Sequence, residues 1–353
     1  ALRGAGFELE KRPGYGAKRE MLAGRYAPPP YRPVAPRPAP PTDRHAIVLG
    51  AGLAGTACCE RLAARGWRVE LIDRHDGPAT EASGNHAGIF HPLLARDDNQ
   101  QARLTRAAFL YGLRAWQGMR ACGYAFPWAD RGLVQLARDA SHEALQMRLP
   151  AEMGYPRDYV DTLDADALAS ELGHAVPIGG WRFAHGGWAN PGGLCRAYLG
   201  MAGDRVRSHY GRAVARLTRS GEGWQAVDAE GVVLAEAPHV VVANGLGAKS
   251  LAQTASLPMQ ALRGQVTLIP QGGIPDIRLP LCREGYLTPA LDGWHCAGAS
   301  YDDDDDPLPR RECDTGNLRR LARLLDLPAR LADPHGLRAR VGFRAVPPDR
   351  LPM

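Results

Sequence analysis

Apolar and polar positions follow two rhythms along this chain, and the clearest switch between them falls between Ala46 and Asp73. Ala46-Ile47-Val48-Leu49 is an unbroken apolar run that leads straight into Gly50-Ala51-Gly52-Leu53-Ala54-Gly55. A run of that length with no polar interruption predicts a strand buried on both faces, as in the centre of a parallel sheet. From Leu53 to Arg65 the pattern turns helical. Gly66 stands where a helix end needs a left-handed residue, and Trp67-Arg68-Val69-Glu70-Leu71-Ile72-Asp73 predicts a second strand ending on a carboxylate.

Farther along, the spacing of Leu104, Ala108, Tyr111, Ala115 and Met119 predicts a helix over Asn99 to Arg120 with that stripe packed in the core. Short strand-like runs recur in Arg212 to Asp228 and Val232 to Asn244. The last, Pro238 to Gly245, reads as a buried strand ending on Asn244 and Gly245, where backbone is expected close to a ligand. Leu262 to Ile269 and Gly285 to Ala299 predict further strands, with a turn at Asp292-Gly293. Asp302 to Asp306 lacks the alternating ligands and turn glycine of a calcium loop, so a solvated acidic loop is expected. Ala27 to Pro41 is rich in proline, which lacks the amide hydrogen and fixes φ; it predicts a semi-rigid spacer at ~3.1 Å per residue. The 26 residues before it are too few to bury a core of their own.

Bulk properties narrow the class. The chain has 353 residues, 45% of them apolar and 23% charged, enough for two domains of ordinary globular composition. No apolar run approaches the ~20 residues that span a bilayer. Ala1 to Arg25 has no apolar core of a signal peptide, so a cytoplasmic protein is expected. Seven scattered cysteines without a Cys-x-x-Cys pair suggest reduced, mostly buried thiols and neither a disulfide framework nor a metal site. Lysine occurs only at Lys11, Lys18 and Lys249; the other basic residues are arginine, and the net charge is +5. That balance suits a polyanionic partner and equally a GC-rich genome.

The chemistry begins at the glycines. In a βαβ unit the first glycine (Gly50) permits the tight turn, the second (Gly52) lets backbone amides approach a pyrophosphate, and the third (Gly55) lets helix pack on strand; the helix N-terminus adds its positive end. Asp73, about twenty residues on, is suited to a ribose hydroxyl.

Taken in order, the βαβ unit, Ala82-Ser83-Gly84-Asn85-His86-Ala87-Gly88, Gly187-Trp188-Ala189-Asn190-Pro191, Val241 to Gly245, Arg263-Gly264-Gln265-Val266, Gly285 to Pro289 and Gly342-Phe343-Arg344 to Asp349-Arg350-Leu351-Pro352 resemble the D-amino-acid oxidase-like flavoenzymes. More narrowly, Ala82 to Leu94 and the Arg-Gly-Gln-Val strand resemble the flavin half of a family of bifunctional tRNA wobble-uridine modifying enzymes. Ala5 to Leu22 resembles the closing strand of that family's S-adenosylmethionine-dependent methyltransferase half.

The resemblance implies an α/β fold: a Rossmann-like FAD-binding domain with an inserted antiparallel-sheet α+β substrate domain. It implies a methyltransferase tail over 1–26, a linker over 27–42, an FAD-binding domain over 43–95, 186–258 and 335–353, and a substrate domain over 96–185 and 259–334. It implies FAD as cofactor, tRNA as partner, a methyltransferase domain in cis and a monomer. The reaction it implies is oxidative removal of a carboxymethyl group from 5-carboxymethylaminomethyl-uridine. By the same resemblance Ser83, Gly84, Asn85 and Gly88 approach the pyrophosphate and flavin ring, Val214 lies near the adenine, and Asn244 and Gly245 close the other side. Arg344 forks onto the substrate carboxylate, Tyr286 donates a second hydrogen bond, and Arg263 or Gln265 line the same cavity. The family continues past the position of Met353 into a glycine-rich segment, so a C-terminally truncated flavin domain is expected. Three alternatives share some of these motifs: a free glycine, sarcosine or D-amino-acid oxidase of the same fold, an NAD-dependent dehydrogenase, and a tRNA-binding remnant without activity.

Overall fold

The structure, a computed structural model, describes residues 7–14, 19–27, 41–327 and 337–348. The chain divides into two compact units, Ala1–Asp43 and Arg44–Met353. In the first, Phe7–Pro13 pairs antiparallel with Glu20–Tyr26, and the Phe7 and Tyr26 rings meet at 5.1 Å. The sequence led us to expect one closing strand; two are present, paired from Phe7 with Tyr26 to Pro13 with Glu20. Met21, Leu22 and Tyr26 of this ribbon are largely exposed. The expected proline-rich linker lies, over 28–40, outside the described residues, as does the Asp349 to Pro352 motif.

The second unit is built on two main sheets. Four parallel strands run in the order Val206–His209, Arg68–Ile72, His45–Leu49, His239–Val242. Ile47 and Val48 are fully buried, as a strand flanked on both edges and covered on both faces requires. His239–Val242 was expected to be buried but is only half-buried, because it is the outermost described strand of this sheet. Helix α1 (Leu53–Ala63) follows the glycine turn, and Gly66 closes it at φ 80°.

The other main sheet has eight strands in the order Arg338–Val346, Gln260–Pro270, Trp294–Gly298, Tyr286–Leu287, Leu281–Cys282, Leu133–Leu136, Gly180–Phe183, Asp161–Leu163. All neighbours are antiparallel except Leu281–Cys282 beside Leu133–Leu136. The turn at Asp292-Gly293 is present, with φ of 48° and 79°, the left-handed pair that a tight hairpin demands. Helix α2 (Gln100–Ala121) is capped by Asn99, whose side chain accepts from the Ala102 amide. Helices α3 (Ala140–Glu152), α4 (Ala165–Leu172), α5 (Pro191–Ala202) and α6 (Arg311–Leu324) complete the unit. Among the described residues no helix is long and apolar enough to cross a membrane.

Two expectations need correction. On α2 the buried side chains are Ala102, Leu113 and Met119, with Phe109 and Trp116 beside them, while Leu104 and Tyr111 are 44% and 53% exposed. The large rings of Phe109 and Trp116 seek Phe90, and this aromatic packing rotates the helix away from the stripe read by spacing alone. Nor is Asp302 to Asp306 a solvated loop. Asp302, Asp304 and Asp306 turn inward onto Arg263 and Arg310, and only Asp303 and Asp305 face out.

Candidate functional site

Each glycine of the first turn is required by what surrounds it. A Cβ on Gly50, which sits at φ 97°, would lie 2.6 Å from the Ala243 carbonyl oxygen; one on Gly55 would lie 1.8 Å from the Gly50 carbonyl oxygen. Gly52 faces the Ser83 hydroxyl at 3.0 Å. With side chains absent, the first turn of α1 presents amides that have no intrahelical acceptor, the arrangement that holds a pyrophosphate. Ser83 Oγ accepts from one of them, Leu53 N, at 3.0 Å. Asp73 buttresses the turn from below: its Oδ2 accepts from Ala51 N at 2.6 Å and its Oδ1 from His75 N at 2.8 Å. A carboxylate has about four lone-pair positions, so acceptor capacity remains for a ribose hydroxyl.

Several of the other residues expected on the cofactor side lie near this turn. Val214 lies two residues past Arg212, whose amide donates to the Asp73 carbonyl, so it borders the end of the second strand. Asn244 follows the outer strand where it approaches Gly50, and its Oδ1 is buried without a hydrogen-bond partner. A buried orphan acceptor beside a phosphate-binding turn fits a dinucleotide donor. Gly245, at φ 55°, has open space where a Cβ would go, and so does Gly88. Ala82, Ser83 and Gly84 make a short 3-10 turn that Asn85 leaves in extended conformation. A Cβ on Gly84 would collide with the Arg340 guanidinium, which donates from Nη2 to the carbonyls of Thr80 (2.6 Å) and Glu81 (2.9 Å).

Alternation along paired strands separates the four substrate-side residues. Leu262 pairs with Arg344, Gly264 with Gly342 and Val266 with Arg340, so these share one face of the sheet. That face meets the cofactor-side loop: a Cβ on Gly342 would lie 3.3 Å from Ala82, and Val266 packs with Ala87, Cys296 and Tyr286. Arg344 is exposed, its guanidinium 5.0 Å over the Tyr301 ring. Tyr286 donates to the Ala87 carbonyl at 3.3 Å and touches Cys296 Sγ at 3.5 Å. Burial holds its phenol well above the usual range, opposed by the nearby Arg344 charge, so it stays a neutral donor.

Arg263 and Gln265 occupy the opposite face, beneath α6. Arg263 is fully buried, and all three guanidinium nitrogens are taken: Nη1 by Asp302 Oδ2 (3.0 Å), Nη2 by the Leu308 carbonyl (2.6 Å) and Nε by the Asp306 carbonyl (2.7 Å). Gln265 accepts from Arg310 N at 2.7 Å and donates to the Arg310 carbonyl at 2.8 Å. Both side chains are fully buried and engaged beneath α6, so the expectation that they line the cavity of Arg344 is corrected: a shift of one residue along a strand changes the face. Sequence reasoning passed over Arg340, which the same alternation with Arg344 would have revealed. It also missed Tyr301 and Ala79; the latter sits at φ 61° with its amide on the Ala51 carbonyl, a strained position that no residue type announced.

His86 bonds the Leu291 carbonyl, and burial pushes the His91 imidazole below its usual range. All seven cysteines are free, five of them buried. Among the described residues no group of three or more His, Cys, Asp or Glu could hold a metal ion.

Comparison with known proteins adds three findings. Residues 45–353 match the family described as FAD dependent oxidoreductase. A relative from Azoarcus sp. (strain BH72), the "tRNA 5-methylaminomethyl-2-thiouridine biosynthesis bifunctional protein MnmC", is 46% identical over 354 residues, covering 100% of this chain and 55% of the relative. The chain thus spans about half the length of the curated relatives it matches. Among solved structures, glycine oxidase from Geobacillus kaustophilus superposes with a TM-score of 0.72 at 18% identity, covering 88% of this chain and 85% of that one. The L-alpha-glycerophosphate oxidase of Mycoplasma pneumoniae, solved with FAD bound, gives a TM-score of 0.71 at 18% identity over 86% and 83%. At such identities the likeness concerns the fold.

Proposed function

The chain belongs to the FAD dependent oxidoreductase family, and from that membership we propose that it is the flavin half of a bifunctional tRNA-modifying enzyme. It removes the carboxymethyl group of 5-carboxymethylaminomethyl-(2-thio)uridine at the wobble position, leaving a 5-aminomethyl group for a fused S-adenosylmethionine-dependent methyltransferase. The observation that carries this reading is the 46% identity, sustained over the whole chain, to a relative named for that tRNA pathway. The domain boundaries are proposed with it: 43–95, 186–258 and 335–353 for FAD, 96–185 and 259–334 for substrate, following the tail and linker of 1–42.

Gly50, Gly52 and Gly55 with Asp73, Ser83, Gly84, Asn85, Gly88, Val214, Asn244 and Gly245 would hold the cofactor. The open turn and the orphaned Asn244 acceptor support that set. Bound FAD would supply the acceptor for the two electrons and hydrogen that leave the carbon next to the secondary amine. The chain's own residues then bind and orient. Arg344 is the cation for the carboxylate: it is exposed, and no described carboxylate forms a salt bridge with it. A guanidinium grips both carboxylate oxygens and so fixes the direction of the adjoining carbon. Tyr286, kept neutral by burial, lies on the same face with its hydroxyl on the Ala87 carbonyl, and would turn that hydrogen to the carboxylate when substrate binds. Water completes the sequence by hydrolysing the resulting C=N bond, which leaves the 5-aminomethyl group on the uridine and releases the two-carbon unit as glyoxylate.

Arg344→Lys tests the assignment. The charge remains but the fork is lost, so kcat/KM for carboxymethylaminomethyl-tRNA is expected to fall at least about tenfold, or ~1.4 kcal/mol, with the flavin spectrum unchanged. Near-normal kcat/KM would remove Arg344 from the site. Turnover of free glycine without turnover of the tRNA would instead assign the chain to the small-amine oxidases.

A further inference from the structure

Tyr301 is a large ring left 60% exposed, yet the residues on both sides of it are held by hydrogen bonds. Ser300 on one side is buried; its amide donates to the Gln265 carbonyl at 3.0 Å, and its hydroxyl bridges Gln265 N and Asp302 Oδ2. Asp302 on the other side exchanges both backbone hydrogen bonds with Arg263, at 3.1 Å each, and its carboxylate holds the Arg263 guanidinium. The polar network beneath α6 therefore fixes the segment from which Tyr301 projects. An aromatic side chain that is both exposed and held on rigid backbone is pre-organised for contact, since little is lost in ordering it. One side of its ring carries the Arg344 guanidinium at 5.0 Å; the rest is open to solvent. The outward Asp303 and Asp305 flank it with negative charge, which disfavours phosphate and leaves the neutral face of a base as the suitable ligand.

We propose that Tyr301 is a stacking platform for the pyrimidine base of the substrate, with Arg344 behind it receiving the carboxylate. The inference rests on the tRNA reading above. From the base carbon to the carboxylate carbon, the carboxymethylaminomethyl arm is four bonds, about 5 Å when extended. A base stacked ~3.5 Å above the ring and a guanidinium 5.0 Å below it stand farther apart than that arm, so the exposed Arg344 side chain swings past the ring edge to meet the carboxylate. Base–aromatic stacking is tolerant of base identity, so Tyr301 selects a nucleoside over a bare amino acid rather than one base over another. Arg263 and Asp302 are positioning residues for this platform.

The test compares two substrates. In the full chain, the ratio of kcat/KM for carboxymethylaminomethyl-tRNA to that for sarcosine, which has the N-alkylated glycine but no base, should fall at least about tenfold in Tyr301→Ala. Tyr301→Phe and Tyr301→Trp, which keep a stacking face, should restore the ratio to within about threefold of the wild type. Binding reads the contact without turnover: the uracil H6 resonance of the free modified nucleoside should move upfield with the wild type and not with Tyr301→Ala. An unchanged ratio, or a ratio lost equally in Tyr301→Phe, would overturn the platform. Failure of the wild type to oxidise the tRNA would overturn the functional reading instead, and the H6 shift would still decide whether Tyr301 binds a base.

Discussion

At the Gly50–Gly55 turn three glycines keep side chains away so that backbone amides stand open, whereas on the Gln260–Pro270 strand Arg263, Gln265 and Thr267 are driven inward and consumed by partners. Both regions concentrate polar groups at a strand that leads to a site. In the first the polar groups are the backbone's own and remain available to a ligand. In the second they are side chains, and each is satisfied from within: Thr267 donates to Asp314 at 2.6 Å and Gln265 grips Arg310. A buried polar residue left unpaired would be costly, so satisfaction there is a condition of folding. The contrast teaches that an arginine near a cavity is not thereby part of it. Arg263 and Arg344 differ by one face of one sheet: one is buried with its donors consumed, the other is exposed.

The largest effect should come from breaking the closed network. Arg263→Met takes the guanidinium from Asp302 and leaves the carbonyls of Asp306 and Leu308 without its donors. Removing one partner of a buried ion pair costs ~3–5 kcal/mol, and about 3 is expected here because Asp302 is partly exposed. Arg344→Lys, on the exposed face, should change stability by less than about 0.5 kcal/mol. Urea unfolding of both variants measures the difference. Equal destabilisation would mean that the two arginines are not divided as their faces suggest.

A smaller effect sharpens the other side of the comparison. Gly55→Ala puts a Cβ 1.8 Å from the Gly50 carbonyl oxygen, so α1 must move off the strand, at a cost of ~1–3 kcal/mol, and should lose bound flavin. Gly88→Ala meets no atom within 4 Å and should leave the thermal melt of the flavin-free chain in place. If that open space belongs to the cofactor, Gly88→Ala should nevertheless lower flavin stoichiometry. Absorbance at flavin wavelengths against protein concentration reads both. A Gly55→Ala protein that keeps full flavin would show that the glycine spacing is a turn requirement and nothing more.

What the sequence made legible follows the same division. The glycine turn, its strands and Asp73 were readable because backbone approach leaves a residue-type signature: where a Cβ cannot fit, only glycine remains. The Asp292-Gly293 turn was readable for a like reason. The orientation of α2 was not, because its small and large apolar residues form two overlapping stripes and only the contact of Trp116 with Phe90 chooses between them. Nor was the role of Arg263, since its partners at Asp302, Asp306 and Leu308 lie about forty residues away in sequence. Tyr301 carries no pattern at all; its meaning comes from Arg344, which reaches it across the Gln260–Pro270 strand.

The smallest effect is one of pH and isolates the charge in the closed network. Burial alone would raise the Asp302 carboxyl, but hydrogen bonds from Ser300, Cys313 and Arg263 outweigh it and hold the group below its ordinary range. A carboxyl depressed on folding contributes stability above its unfolded pKa, near 3.9, and loses it as pH falls through the folded value. Asp304 and Asp306 are also lowered, by hydrogen bonds from Arg310 and from the Leu308 amide respectively, so the wild-type acid transition is a sum over the cluster. Asp302→Asn removes one contribution while keeping size and most hydrogen bonds. The stability difference between wild type and variant should be constant from neutral pH down to about 4 and shrink below it. A difference that persists unchanged to about pH 3 would mean that Asp302 holds Arg263 by shape rather than by charge, and that the wall behind Tyr301 is a hydrogen-bonded frame indifferent to protonation.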